Sequence, residues 1–546
     1  MKNLATIITA LALTAAAGFT TNAQNPYLPM WEYIPDAEPY VFEDPDYPGK
    51  YRVYVYGSHD NIVTAYCGRD QVVWSAPVDD LDAWRYDGII FVSRTDSKGR
   101  LLPVARKQNE QGHDLGDILY APDITVKPGP DGKPLYYLYP NNQAPGRKSM
   151  VAVSDRPDGP FTVCNWDSEN PLLTDGVLGF DPAVFVDDDG RVYGYWGINT
   201  SYGAELDPET MATVKPGTEV IVDMISSARQ EGVFRFFEAS SIRKIEDKYV
   251  FVYSRMTSPG EFGLPSSNYT LAYAYSDAPL GPWTYGGTII DARARDVDED
   301  GNVIPTANPY GNTHGGIQLI GGRWWVFYHR QTGTDEYSRQ AMVAPIDVQV
   351  EKGSGGRVLI SEAEYTSEGF HTEGLDPLRR TPAGWACYLT NPRGVIHDFP
   401  YFHFTGSYIR PTRQYESDLS QGPYNQKQPY CPVVNNTSGS IVGYKYFNFD
   451  ALSESSNARL VVHMKPQGIA GKVDVLIGGP KPALGGCVIG TIDLSALRKS
   501  GPIEVEVSLG NAFKGLEGKQ SLFFSFSSPS EYESLCTLYD FQFFAD

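Results

Sequence analysis

"EASSIRKIEDKYVFVYS", residues 238–254, decides how this chain reads. Two runs of strand-forming residues, ASSIRKI and YVFVYS, flank a polar turn, EDK, and this pattern predicts a β-hairpin. The hairpin opens on a carboxylate, Glu238, although acidic residues are depleted in strands. A residue that local propensity disfavours needs a reason from elsewhere in the sequence, and repetition supplies it.

"DPAVFVDDDGRVYGYWG" (181–197) and "HGGIQLIGGRWWVFYHR" (314–330) have the same 17-residue form: an ionisable residue, an apolar run, a tight turn, then an aromatic and β-branched run. Two looser copies come earlier, "EPYVFEDPDYPGKYRVYVYGSHD" from Glu38 and "APDITVKPGPDGKPLYYLYPN" with Asp123 near its start. The anchors Glu38, Asp123, Asp181, Glu238 and His314 stand 85, 58, 57 and 76 residues apart, which leaves room for two more strands after each hairpin. Those strands show in a second repeated phrase, "SMVAVSDRPDGPF" (149–161) and "LAYAYSDAPLGPW" (271–283), with a weaker version in "VVWSAPVDDLDAW" (72–84). The unit is therefore a four-stranded antiparallel sheet repeated five times, and radial repetition of such units makes a five-bladed β-propeller over residues 27–370.

In a propeller the innermost strand of each blade lines a shared channel, so residues at the starts of these strands converge. Each anchor alone reads most simply as a strand cap or a bond to the next blade. Five in step predict a funnel of four carboxyl groups and one imidazole. Like charges drive each other's pKa values apart there, an arrangement found where chemistry requires it.

The remaining sequence limits what such a funnel could serve. Residues 1–23 combine Lys2, a short apolar run and a small–x–small site before Gln24, which predicts a signal peptide and a periplasmic or extracellular location. No later apolar run is long enough for a membrane helix. A net charge of −21 argues against nucleic acid and anionic membrane as partners. Aromatic residues make up 13% of the chain, as a β-rich core requires, and some could stack on sugars. Six scattered cysteines form no zinc or redox motif. Residues 371–394 lack strand periodicity and read as a linker packed on the propeller. From 395 to 546 strand runs return without the hairpin repeat, predicting a β-sandwich accessory domain. With no clear aromatic binding face, packing against the propeller is its expected role.

Paired carboxyl groups in unlike environments suit glycoside hydrolysis, where one must stay protonated and the other ionised. No Ser-His-Asp order, phosphate loop or multi-His metal set supports acyl or phosphoryl transfer. The phrases "RVYVYGSHD" (52–60), "YAPDI" (120–124), "FDPAVFVDDDGRVYGYWG" (180–197), "EASSIRKI" (238–245), "NTHGGI" (312–317) and "WWVFYHR" (324–330) together resemble glycoside hydrolase family 43, five-bladed propeller enzymes that invert anomeric configuration. The resemblance implies that Glu238 is the general acid and that Asp181 orients it and tunes its pKa. Asp123 and His314 would line the same site, with His314 near the channel axis in contact with water or an ion. Arg339, in "YSRQA", would reach the substrate from the last blade. No cofactor is implied, though there is room for a structural calcium ion.

The family's base is an Asp in an Asp-Pro phrase opening blade one. This chain has "PDAEPYVF" there, with Glu38 before Pro39 and Asp36 two residues earlier. Glu38 fits the strand-start position and is the first choice for the base, with Asp36 the alternative. The implied activity is exo-acting release of a furanose or pentose from plant-type polysaccharide, α-L-arabinofuranosidase first, with β-xylosidase, endo-arabinanase, a galactose-releasing enzyme or a non-catalytic sugar-binding propeller as alternatives. The loops at 256–269 and 292–312 are expected to wall the funnel. The sequence does not indicate an oligomeric state.

Overall fold

The computed structural model describes residues 24–62, 65–93, 118–170, 172–412 and 431–545. The predicted signal peptide, 1–23, lies outside the described residues. Blade one runs β1 (Glu38–Glu43), β2 (Tyr51–Tyr56), β3 (Asp70–Pro77) and β4 (Arg85–Val92). Blade two comprises β5 (Asp123–Pro128), β6 (Pro134–Tyr139), β7 (Ala152–Ser154) and β8 (Thr162–Val163). Blade three is β9 (Ala183–Val186), β10 (Val192–Trp196), β11 (Tyr202–Leu206) and β12 (Ile221–Val222). Blade four consists of β13 (Phe236–Ile245), β14 (Lys248–Arg255), β15 (Thr270–Ser276) and β16 (Thr284–Asp291). A small hairpin follows, β17 (Arg295–Val297) with β18 (Val303–Pro305), and then blade five, β19 (Ile317–Ile320), β20 (Arg323–Gln331) and β21 (Arg339–Ile346). Each blade is an antiparallel meander in sequence order.

The second strand of each blade reads as an unbroken apolar and aromatic run because both of its faces are covered. In β14, Val250 and Val252 pack with Ile317, Val326 and Tyr328 of blade five. The alternate residues Tyr249, Phe251 and Tyr253 pack with Ala183, Tyr193 and Tyr195 of blade three. This is strand periodicity serving two neighbouring blades at once. In β2, Val53 and Val55 join Trp325 and Phe327 of blade five, which closes the ring, and Tyr54 and Tyr56 join Tyr136 and Leu138 of blade two. A bridge between Ala37 and Gly315 also links the innermost segments of blades one and five.

Blade five differs from the expected unit in having three strands among the described residues. Its outer strand is met by the N-terminal segment: Asn25 donates to Val343 O (2.7 Å), and Val343 N–H donates back to Asn25 Oδ1 (2.9 Å).

The C-terminal domain is a β-sandwich of a six-stranded and a five-stranded sheet. Their inner faces share one core, including Val442, Tyr444, Leu460, Val475, Phe524 and Phe541. The expected linker is partly sandwich. Thr381–Pro382 pairs with Asp540 and Phe541 of the last strand, and Tyr388–Thr390 adds an edge to the other sheet. These segments are too short to show a period of two, so the sequence hid them. The domain packs on the propeller through buried polar bonds. Arg330, on β20, donates to Gly384 O (2.6 Å) and Ala386 O (2.9 Å).

Candidate active site

Three of the cleft carboxylates, Asp36, Asp181 and Glu238, stand where the chain departs from regular strand geometry. Asp36 and Asp181 each precede the first residue of their strand by two positions and adopt left-handed backbone, φ 60° and 48°. Ala239, directly after Glu238, does so too at φ 70°, and the β13–β14 ladder loses register between Glu238 and Ser241. Non-glycine residues rarely hold this conformation, and such strain concentrates at functional sites. Here it aims side chains into the channel mouth instead of along the sheet. This answers why an acid stands at the head of the 238–254 hairpin: Glu238 pairs with Ser254 but sits between two register shifts, where the ladder is irregular on both sides of it.

Asp36, Asp181, Glu238, His314 and Arg339 line one open cleft of about 560 Å³. Tyr66, Tyr120, Phe180, Asn312 and Glu336 add to its walls. The loops at 256–269 and 292–312 contribute Met256, Ser266, Ser267 and Asn268, and Tyr310, Gly311 and Asn312, as the sequence led us to expect.

Asp36 lies on the floor, 4% exposed. Arg339 Nη1 donates to both its carboxyl oxygens (3.0 and 3.2 Å), and Ser58 Oγ donates to Oδ2 (2.5 Å). Burial opposes its ionisation, but Arg339 leads the positive and hydrogen-bonding groups that outweigh it, and they hold the pKa below the usual value. Arg339 is itself fixed by Asp60 through Nε (2.9 Å) and Nη2 (2.8 Å). His329 supports the same floor. Its Nδ1 accepts from Asp36 N–H (3.2 Å) and its Nε2 donates to Asn312 O (2.7 Å). Burial pushes its pKa down to about 3, so the imidazole is neutral and the tautomer follows from these partners.

Glu238 is the opposite case. Burial, then the charge of Asp181, raises its pKa to about 8, so its carboxyl is protonated at neutral pH. Asp181 accepts from Asn141 Nδ2 (2.9 Å) and Ala239 N–H (3.2 Å), and His314 Nδ1 stands 3.5 Å from its Oδ2. Burial raises Asp181 as well. Its three donors nevertheless make it the member of the pair that carries the charge. Burial disfavours the charge on His314, but the hydrogen bond and charge of Asp181 outweigh that and raise it to about 9.

Two expected site residues lie elsewhere. Glu38, the first choice for the base, is fully buried away from the cleft, its Oε2 paired with Arg243 Nη2 (3.1 Å). Asp123 accepts from Tyr40 O–H (2.9 Å) and Val184 N–H (2.6 Å), beside the same arginine, and does not line the cleft. Pro39 was a misleading landmark. Counted from the strand start, Asp36 is the counterpart of Asp181, and Glu38 is the first ladder residue, opposite Tyr56.

Among the described residues no three His, Cys, Asp or Glu side chains converge as a cation site needs.

Sequence reasoning missed several cleft residues. Tyr66 lies outside the quoted phrases, and Phe180, although it opens one of them, carried no separate signal. His397 and Phe399 come from the sandwich domain, and no propeller repeat could point to them.

Comparison with known proteins shows the family of the chain. The family described as "Glycosyl hydrolases family 43" matches residues 44–352. A xylosidase/arabinosidase of Thermoclostridium stercorarium is 35% identical over 448 residues, which is 78% of this chain and 82% of that protein. An arabinoxylan arabinofuranohydrolase of Paenibacillus polymyxa is 29% identical over 332 residues, 56% of this chain and 46% of that one. A solved family 43 arabinoxylan arabinofuranohydrolase of Bacillus subtilis, in complex with cellotetraose, aligns over 96% of this chain and 99% of its own at 20% identity and a TM-score of 0.43. The family match and the Thermoclostridium relative carry the assignment: this chain belongs to glycosyl hydrolase family 43 and is a glycoside hydrolase.

Proposed function

We propose that this enzyme is an inverting, exo-acting glycosidase that removes arabinofuranose units from plant polysaccharide or its oligosaccharides, after export directed by residues 1–23. One observation carries the reading: two cleft carboxyls are held in opposite protonation states, Glu238 with its pKa raised to about 8 and Asp36 with its pKa lowered. That is the division of labour a single-displacement hydrolysis needs. Glu238 gives its proton to the glycosidic oxygen as the bond to the anomeric carbon breaks. A water held by Asp36 attacks that carbon from the other side, and Asp36 takes the proton the water loses. Asp181 keeps Glu238 protonated until the proton is required. Arg339 and Ser58 fix the direction in which Asp36 faces. No metal or cofactor enters these steps, and the partner is the carbohydrate itself.

The sugar is inferred from the relatives, named for xylosidase, arabinosidase and arabinofuranohydrolase activity. The test is chromatography of monosaccharides released from defined arabinoxylan oligosaccharides, with NMR of the first-formed anomer. Arabinose of inverted configuration is expected. Faster release of xylose would make the enzyme a β-xylosidase, the reading that the name of the Thermoclostridium relative also supports. No release from any substrate would favour a non-catalytic sugar-binding propeller.

A further inference from the structure

The cleft is not built by the propeller alone. A hairpin of the C-terminal region, Val395–Asp398 paired with Tyr401–Phe404, reaches its mouth, and His397 and Phe399 line it. Glu336 N–H donates to Pro400 O (3.1 Å) and Phe402 N–H donates to Thr334 O (2.9 Å), and a bridge joins Asp335 to Tyr401. Glu336, 4% exposed, spends its carboxylate on this contact: His397 Nε2 donates to Oε1 (2.6 Å) and the Tyr66 hydroxyl donates to Oε2. The His397 ring also stacks on Tyr310, centroids 4.8 Å apart at 16°. A buried carboxylate committed at both oxygens holds a segment rigidly.

This clamp presents Phe399, 61% exposed, at the rim, while Asp36 and Asp181 lie on the floor at 4% and 3%. Depth assigns the rim its occupant. A sugar whose anomeric carbon sits between Asp36 and Glu238 fills the floor, so whatever hangs on the scissile oxygen extends outward. It leaves past Glu238, which touches Asn312, two residues from Tyr310 and the His397 stack. An exposed aromatic ring beside a path for sugars offers a flat apolar face for their C–H surfaces.

We propose that the 395–404 hairpin forms the leaving-side subsite of the cleft, with Phe399 the platform for the sugar ring attached through the scissile oxygen and His397, clamped by Glu336, the post that positions it. The proposal rests on the glycosidase reading above. The test compares two substrates releasing the same sugar, an oligosaccharide and a methyl glycoside whose leaving group has no ring. In Phe399→Ala the ratio of kcat/KM on the oligosaccharide to that on the methyl glycoside should fall about three- to tenfold, mainly through KM, as expected for one lost aromatic contact. Phe399→Trp should restore the ratio. Thermal unfolding of both variants should match the parent, because the ring is exposed. An unchanged ratio, or an equal loss on both substrates, overturns the platform and leaves the glycosidase reading intact. A parent enzyme that hydrolyses neither substrate overturns both.

Discussion

Replacing Asp36 with Asn and, separately, Glu38 with Gln distinguishes the two ways of aligning blade one. The Asp36→Asn amide keeps the shape but cannot accept a proton from water, so the loss expected for a missing general base is about a hundred- to ten-thousandfold in kcat. The fold should survive. Arg339 Nη1 loses its carboxylate partner, but Nε, Nη2 and the backbone N–H of Arg339 keep their bonds to Asp60 (2.9, 2.8 and 3.0 Å). The stability cost should be about 1–3 kcal/mol, that of weakening one buried hydrogen-bonded group. Glu38→Gln removes the charge opposite Arg243, which retains Pro39 O (2.8 Å), Ile242 O (2.8 Å) and the Tyr40 hydroxyl (3.2 Å). Its stability cost should also be about 1–3 kcal/mol, with kcat close to the parent's. Steady-state rates on one arabinoside and urea unfolding of each variant measure both quantities. Azide should partly rescue Asp36→Ala by taking the place of the water, giving a glycosyl azide of inverted configuration. A large rate loss in Glu38→Gln, with Asp36→Asn nearly unaffected, would refute the alignment and the role drawn from it.

Glu238→Gln should cost about a hundred- to ten-thousandfold on natural substrates and much less on activated aryl glycosides, whose leaving groups need little protonation; equal losses on both would remove Glu238 from the acid role. Activity of the parent should fall as pH rises through about 8, the value to which Glu238 is raised, and Asp181→Asn should move that limb to lower pH because the charge opposing ionisation is gone. A limb that stays in place would leave Asp181 a purely structural part. His329 is held near 3, below its ordinary 6.5, so the unfolded chain binds a proton first and the stability it contributes above 6.5 is lost as pH falls toward 3. His329→Gln should flatten that part of the stability profile, as read by thermal unfolding; the same slope in parent and variant would contradict the neutral imidazole.

The propeller was legible because each blade's second strand is buried on both faces and so repeats a loud aromatic pattern, as "YVFVYS" and "WWVFYHR" do. Asp181, Glu238 and His314 were legible because the repeat brought them to the same end of the channel. The base was not. β1 begins on Glu38, and its offset from Asp36 is set by a left-handed residue that a strand pattern does not encode. Asp123 misled for a related reason: it is the first residue of β5 and stays in the ladder opposite Tyr139, whereas Asp181 stands two residues before its strand. The hairpin carrying His397 and Phe399 was out of reach of any repeat. It belongs to another domain and is tied to the cleft by tertiary bonds that composition and spacing do not record.

Four acids and an imidazole in one funnel posed an electrostatic problem, and the structure resolves it by splitting the groups into two sets. The set facing the cleft offsets Asp36 and Asp60 with Arg339, and Asp181 with the protonated His314, leaving Glu238 as the group that stays uncharged. The second set, away from the cleft, pairs Glu38 with Arg243, whose guanidinium also lies over the Tyr40 ring at 4.2 Å. Burial, then the charge of Glu38, raises Asp123 beside it to about 7. The "HGG" that opens blade five belongs to the same solution. A Cβ on Gly315 would stand 1.8 Å from Phe327 O, and one on Gly316 would stand 2.2 Å from Glu38 Oε2 and 2.9 Å from Ser241 Oγ. Only glycine lets the backbone pass that close to the buried carboxylate. With Glu38 and Asp123 held apart by Arg243, the protonation of Glu238 rests on burial and on the charges of Asp181 and Asp36, while Asp36 stays ionised against Arg339.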